Sequence, residues 1–230
     1  MKLMDTDVRR ATGEDVAALS AVIADALTAG RLGAWLVPDA AERPGVVRRY
    51  AQFALRRGLA HGQVDTTDDR SAVAVWYPRW EPSAPAAAWM YDLHSLLGPH
   101  AARFALLHAY VDAVLPHTPH HYLAHAAFRP GQGEAGRALL ASHHRVLEAD
   151  GLPSYAEVCS DHPRDGLLAR LGYQPRSPIL LEPGGPALWR MWRPPSGSGQ
   201  PGELPRRVLL HRTATPFRGR IISATPPRSP

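Results

Sequence analysis

Apolar positions recur along this chain with two periods. From Val16 to Leu27 the residues Leu19, Val22, Ile23 and Ala26 keep helical spacing, and Val46 to Leu59 repeats it with Val47, Tyr50, Phe53, Ala54 and Leu55. Thr12 with Asp15 three residues on reads as the cap of the first helix, and Gly58 stands near the end of the second. Pro38 and Pro44 bracket a loop between them. Gln63–Thr67 and Ala72–Tyr77 then read as two strands around the turn Asp68-Asp69-Arg70, and Pro78 ends the second strand. A loop rich in Pro, Ala and Trp over 79–90 leads into a helical pattern from Leu93 to Leu115, broken near Gly98-Pro99 and closed by Pro116 and Pro119. His121–Phe128 is a predicted strand, Pro130–Gly136 a glycine-rich loop, and Arg137–Asp150 a helix ending at Gly151. Ser154–Cys159 follows as a strand, Asp165–Leu171 as a helix stopped by Gly172, and Ile179–Leu181 and Ala187–Trp192 as closing strands. Helices and strands in this order predict an α/β fold around one mixed sheet.

The pattern fails after residue 194. Pro194, Pro195, Pro201, Pro205, Pro216, Pro226, Pro227 and Pro230 are spaced by Gly and Ser, a composition that buries too little apolar surface to offset its ordering entropy. The prediction is a body over 1–194 and a Pro/Arg-rich disordered tail over 195–230, in which Val208–Leu210 and Ile221–Ile222 are the apolar spots. This boundary changes the meaning of the charge. The chain carries a formal +5, with pI about 9.8. Arg206, Arg207, Arg212, Arg218, Arg220 and Arg228 against Glu203 supply all of it, so the body is neutral. Nucleic-acid binding is therefore an expectation for the tail only.

One cysteine, Cys159, excludes an internal disulfide and any multi-cysteine metal site. No apolar run approaches the ~20 residues that span a bilayer, and MKLMDTDVRR has no apolar signal core, so we expect no membrane association and a cytoplasmic protein. His117, His120, His121 and His125 cluster before and within one predicted strand, where alternation sends His121 and His125 to one face. They lack Cys, Asp or Glu neighbours, and no metal is expected.

The chemistry concentrates where a strand meets the glycine loop, at Pro130-Gly131-Gln132-Gly133-Glu134-Ala135-Gly136-Arg137. Loop amides and the free amides of a following helix make a place for phosphate, with Arg137 adding charge. Three readings compete: a plain tight turn, a dinucleotide fingerprint, and an acyl-carrier site. Gly131, Gly133 and Gly136 spell GxGxxG, and Glu157 follows 21 residues later. However, about 120 residues precede the motif and too few ordered ones follow it to complete a doubly wound sheet. A P-loop is excluded, because no Gly-Lys-Ser/Thr follows.

For the third reading, the stretch resembles the acetyl-CoA-binding motif of the GNAT superfamily of N-acetyltransferases, Gln/Arg-Gly-x-Gly-x-Gly/Ala after a strand. Pro153–Ser160 is similar to that family's fifth strand and Leu167–Tyr173 to its helix and turn. Ala72–Pro78 and Gly185–Arg193 are similar to the central strand and the Trp-rich terminal strand of a bacterial branch. The resemblance covers about residues 7–193. It departs at Glu134, where a glycine is usual, and at Leu168, where the family's general-acid tyrosine stands.

The resemblance implies a GNAT-like single domain with a mixed central β-sheet flanked by helices. It also implies acetyl-CoA as cosubstrate and a small-molecule amine as acceptor, without metal or covalent intermediate; a homodimer is left open. The backbone at Ala126, Ala127 and Phe128 would pair with the pantetheine arm, and Gly131, Gln132, Gly133, Glu134, Ala135, Gly136 and Arg137 would hold the pyrophosphate. Glu157 is the expected general base, on a strand where burial raises a carboxyl's pKa. Ser160, with Cys159, Tyr155 and Tyr173 as alternatives, is the expected donor in place of the missing tyrosine. Trp76, Trp80 and Trp89, with Tyr77 and Tyr91, would line an acceptor pocket. The rivals are a non-catalytic GNAT-like binding domain, favoured by Glu134 and Leu168, and a dinucleotide-binding oxidoreductase.

Overall fold

The structure is a computed structural model and describes residues 7–80 and 87–195. The tail from 196 and its expected apolar spots, together with residues 81–86 of the Trp/Pro-rich loop at 79–90, lie outside the described residues.

In chain order the elements are β1 (Val8–Arg10), α1 (Val16–Ala29), α2 (Arg31–Leu36), α3 (Arg43–His61), β2 (Gln63–Thr67), β3 (Ala72–Arg79), α4 (Ala87–Leu97), α5 (Ala101–Asp112), β4 (His120–Phe128), α6 (Gly133–Ala149), β5 (Ser154–Cys159), α7 (Leu167–Arg170), β6 (Gln174–Leu180) and β7 (Ala187–Arg193). The strands form one sheet in the order β1-β2-β3-β4-β5-β7-β6. Only β4 and β5 pair in parallel among the described strands. A doubly wound dinucleotide fold needs a largely parallel sheet, so the oxidoreductase reading is overturned.

β3 shows how the sequence builds both faces. Val73 and Val75 point toward the helical layer of α1 to α5, packing with Leu19, Ile23, Val47, Leu55 and Phe104. Ala72, Ala74 and Trp76 point the other way, where Leu139 and Leu140 of α6 cover them. α3 starts with Pro44 in its first turn, where the missing N–H costs nothing. Gly58 lets α3 lie close on the sheet, since a Cβ there would stand 2.6 Å from a methyl of Val75. At the entry to α1, Asp15 accepts the Thr12 N–H at 2.9 Å and is clamped by Arg9 (2.8 Å) and Arg70 (2.6 Å). These partners hold its carboxyl far below the usual carboxylate range.

Several boundaries differ from expectation. The short helix α2 occupies a stretch read as connection. α6 begins at Gly133, four residues before Arg137, so half of the expected glycine loop is the first helical turn. β6 begins at Gln174 rather than Ile179, and α7 is shorter than Asp165–Leu171.

The sheet carries two irregularities that matter for function. Val75 faces His125 across the β3–β4 ladder, but the next residue, Trp76, faces Leu123; Ala124 is the extra residue of a bulge. Such an insertion shifts side-chain alternation by one and bends the strand. Hence His121 points toward α6 and His125 toward α3, correcting the expectation that alternation puts both on one face. The second irregularity is in the β4–β5 pairing. It covers His121–Ser154, Tyr122–Tyr155 and Leu123–Ala156, and then the strands part.

Candidate active site

Past Leu123, the β5-side edge of β4 has no strand partner among the described residues. The backbone of Ala126 and Ala127 pairs with Ala74 and Val73 on its other edge, leaving one row of N–H and C=O groups to the gap. Ala126 is exposed there, Ala127 is buried toward α1, and Phe128 is half-exposed. Gly136 explains the position of Phe128: a Cβ on this glycine would stand 2.6 Å from the phenyl ring, so α6 can sit on β4 only without one.

The loop turns through Gly131, whose φ of +82° is the left-handed conformation that glycine adopts without penalty. The Gln132 N–H closes this turn on the Arg129 carbonyl at 3.0 Å. Gln132 caps α6 without a side-chain bond, and Gly136 donates the helix's first i−4 bond to it at 3.0 Å. The amides of Gly133, Glu134 and Ala135 therefore have no partner within the helix and face the positive end of its dipole outward. Arg137 donates to Glu134 at 2.8 Å, so the unexpected acid and the expected cation neutralise one another on the surface. Strand edge, loop and helix start thus bring the expected cofactor residues together in one place.

On the face toward α3 and α5, the parted strands open a cavity of about 460 Å³. Glu157 and Cys159 reach it from β5, and Tyr122, Ala124 and His125 reach it from β4. Tyr50, Phe53, Arg57 and His61 on α3, Tyr77 and Arg79 on β3, Trp89 on α4, and His108 and Asp112 on α5 complete its polar and aromatic lining. Glu157 has a buried carboxylate oxygen without a hydrogen-bond partner. Burial pushes its pKa up to about 7, an effect the hydroxyls of Tyr122 and Tyr155 oppose and Asp112 reinforces. The histidines stay neutral. Burial lowers His108 to about 3 and His125 to about 4, and the Tyr50 hydroxyl stands 3.2 Å from His108 Nε2. Arg57 lies over the Trp89 ring at 5.0 Å.

The aromatic expectation divides. Trp89 and Tyr77 line the cavity. Trp76 does not; it is fully buried on the α6 face, stacked on His143 at 4.0 Å. Trp80 packs against His121, and Tyr91 is 75% exposed. Trp189 and Trp192 point to opposite faces of β7. Ser160 lies just past β5 and outside the lining, its Oγ accepting the His162 N–H at 3.1 Å. Tyr173 is buried against His144 at 3.0 Å, and burial pushes the Cys159 thiol up. Leu168 packs into the core beneath α6. Sequence reasoning missed Tyr50, Arg57, His108 and Asp112. The available signal was the helical spacing of Tyr50, Phe53 and Arg57 on one face of α3.

Among the described residues no group of three or more His, Cys, Asp or Glu is arranged to hold a metal, and no helix is long and apolar enough to cross a membrane.

No protein-family model matches the sequence, and no curated protein matches it. Solved structures do. One is a histone acetyltransferase HPA2 and related acetyltransferase from Corynebacterium glutamicum, at TM-score 0.62 and 23% identity, covering 87% of this chain and all of the other. A second is arylalkylamine N-acetyltransferase 2 from Aedes aegypti, at TM-score 0.54 and 10% identity over 83% of this chain and 99% of the other. A third is an agmatine N-acetyltransferase, at TM-score 0.50 and 15% identity over 82% and 98%. Together with the seven-stranded mixed sheet that parts between β4 and β5, these likenesses show that the chain has the fold of the GNAT N-acetyltransferases.

Proposed function

We propose that this protein is an N-acetyltransferase that moves the acetyl group of acetyl-CoA to the primary amine of a small molecule by direct attack in a ternary complex. The observation that carries the reading is Glu157, whose carboxyl is raised by burial to about 7 and lines the cavity beside the gap between β4 and β5.

The residues fit the cosubstrate. The open edge at Ala126, Ala127 and Phe128 supplies amide groups for the pantetheine arm. The loop and first turn from Gly131 to Ala135 supply uncapped N–H groups for the pyrophosphate, with Gly136 allowing the close approach of helix to strand. The acceptor enters the cavity beside Glu157 as an ammonium. Glu157 takes one proton from it, and the neutral amine attacks the thioester carbon. The C–N bond forms as the C–S bond breaks, the thiolate leaves, and the nitrogen gives up its second proton to solvent to become the neutral amide. With an apolar Leu168 packed against the core and Ser160 outside the cavity, the thiolate draws its proton from solvent. The neighbouring Tyr122 hydroxyl favours the ionised Glu157 carboxyl against the effect of burial.

Thermal-shift measurements with acetyl-CoA, CoA and NAD, followed by thiol release across a panel of amines, test this. Stabilisation by acetyl-CoA and CoA with thiol release for at least one amine is the expected result. Stabilisation by NAD alone overturns the reading. Stabilisation by acetyl-CoA with no thiol released from any amine replaces it with a non-catalytic binding domain.

A further inference from the structure

The face of the sheet under α6 holds a buried polar chain that the transfer reaction does not use. Asp65 on β2 and His143 on α6 have side chains 7% and 1% exposed and are 3.2 Å apart, Oδ2 to Nδ1. Gln63 Nε2 lies 3.0 and 2.9 Å from the two Asp65 oxygens. Gln63 Nε2 also lies 3.0 Å from His143 Nδ1. On the other side of the ring, His143 Nε2 is 3.1 Å from His121 Nδ1. His121 Nδ1 is thus engaged by His143, and Nε2 is the ring nitrogen that can meet a ligand. Trp76 locks the middle of the chain by stacking on His143.

His121 stands at the wall of a second, more open cavity of about 460 Å³, bounded by Arg10 at the end of β1, Ala11, Leu59 and His61 to Val64 at the α3–β2 junction, and Pro78; His61 and Pro78 also line the first cavity. Its polar lining is Arg10, His61, Gln63 and His121, and among the described residues it contains no carboxylate. Asp65 lies behind it, with the Arg10 guanidinium at 3.5 Å. The described walls of this cavity thus present donors and positive charge, while Asp65 is buried behind them.

We propose that this cavity is a second ligand site, for a compact anion such as a carboxylate or phosphate group, held by Arg10 and by His121 protonated at Nε2 with Asp65 and His143 behind it. Binding works through proton uptake. In the empty site His121 is kept neutral: burial, His143, His120 and Arg10 lower it to about 4. An anion at Nε2 opposes each of these, and the imidazolium's Nδ1–H still has His143 and the Asp65 charge behind it. By linkage, the anion binds more tightly as pH falls toward the His121 midpoint.

The test uses the full chain with histidine rings labelled for NMR, titrated with inorganic phosphate and with acetate. The His121 signal is identified by its loss in His121→Gln. Either anion is expected to raise the proton affinity of the His121 ring at least tenfold, and Arg10→Ala, at an exposed side chain, is expected to weaken that anion's binding roughly tenfold. A response to phosphate alone marks a phosphoryl ligand; a response to acetate marks a carboxylate. His61→Ala provides a second variant that leaves the buried chain intact. An unchanged His121 titration with both anions overturns the proposal, as does full anion binding in both variants. Neither result touches acetyl-CoA binding, so the outcome is separate from the transferase reading.

Discussion

Replacing Glu157 with glutamine separates a catalytic cost from a stability gain. The glutamine amide keeps the shape of the protonated acid and cannot ionise. The Glu157 carboxyl titrates at about 7 in the folded protein against an ordinary value of 4.5. For a raised acid the sign runs one way: its contribution to stability is fully present below 4.5 and is lost as pH rises through 7. Across that span the ionised form costs the fold on the order of 3 kcal/mol. Glu157→Gln should therefore be more stable than the parent by about that amount near pH 8, and equal to it near pH 4. For a body of this size the gain is on the order of 5–10 °C in melting temperature. Turnover should fall by about 10²–10⁴, with loss of the rate increase through pH 7. Melting curves of both proteins across this pH range, paired with thiol-release rates, read both effects. A melting difference that is constant with pH refutes burial as the cause of the shift. A variant that keeps the parent's pH–rate profile refutes Glu157 as the base.

Gly136→Ala forces a methyl against the Phe128 ring and should cost about 1–3 kcal/mol in denaturant unfolding while weakening acetyl-CoA binding. Gly133→Ala, three residues earlier, meets nothing within 4 Å and should leave stability unchanged or slightly raised; equal losses in both would contradict the packing account. Asp15→Asn should destabilise by about 2–3 kcal/mol at neutral pH, discounted for the partial exposure of Arg9 and Arg70. Because the Asp15 carboxyl is held low, that loss should shrink as pH falls below the ordinary 3.8, and urea titrations at several pH values would reveal a constant loss if the ion pairs are not the cause. Deleting residues 195–230 should leave acetyl-CoA binding intact by calorimetry; lost binding would move the domain boundary.

What the sequence revealed follows from how local each signal is. β2 and β5 match their predicted bounds because turn residues flank them: Asp68-Asp69-Arg70 after one, Gly151 and Pro153 before the other. The break at Gly98-Pro99 does separate α4 from α5. α2 was invisible because Arg31–Leu36 is too short to show a period, and Gly33 within it reads as a breaker. Gly133 misled in the same way, drawing the start of α6 into the loop. In β6, Pro175 and Pro178 hid a strand in which the ladder to β7 skips between them. The faces of His121 and His125 were not readable at all, because the Ala124 bulge exists only in the pairing of β4 with β3. Glu157 was legible as a lone carboxylate on an apolar strand. His108 and Asp112 were not, since what makes them cavity residues is the packing of α5 opposite β5.

Three residue pairs hold β4 to β5, and through them the two parts of a seven-stranded sheet. Mechanically this is a tear line: the join has the fewest rungs in the middle of the molecule, where most sheets are strongest. Beyond them the two strands make no further pairs. A substrate that carries amides, as pantetheine does, would close this gap as a splint and couple the two plates. The stiffness of this protein, read for instance as amide exchange in β5 and β7, would then follow the supply of its own acyl donor.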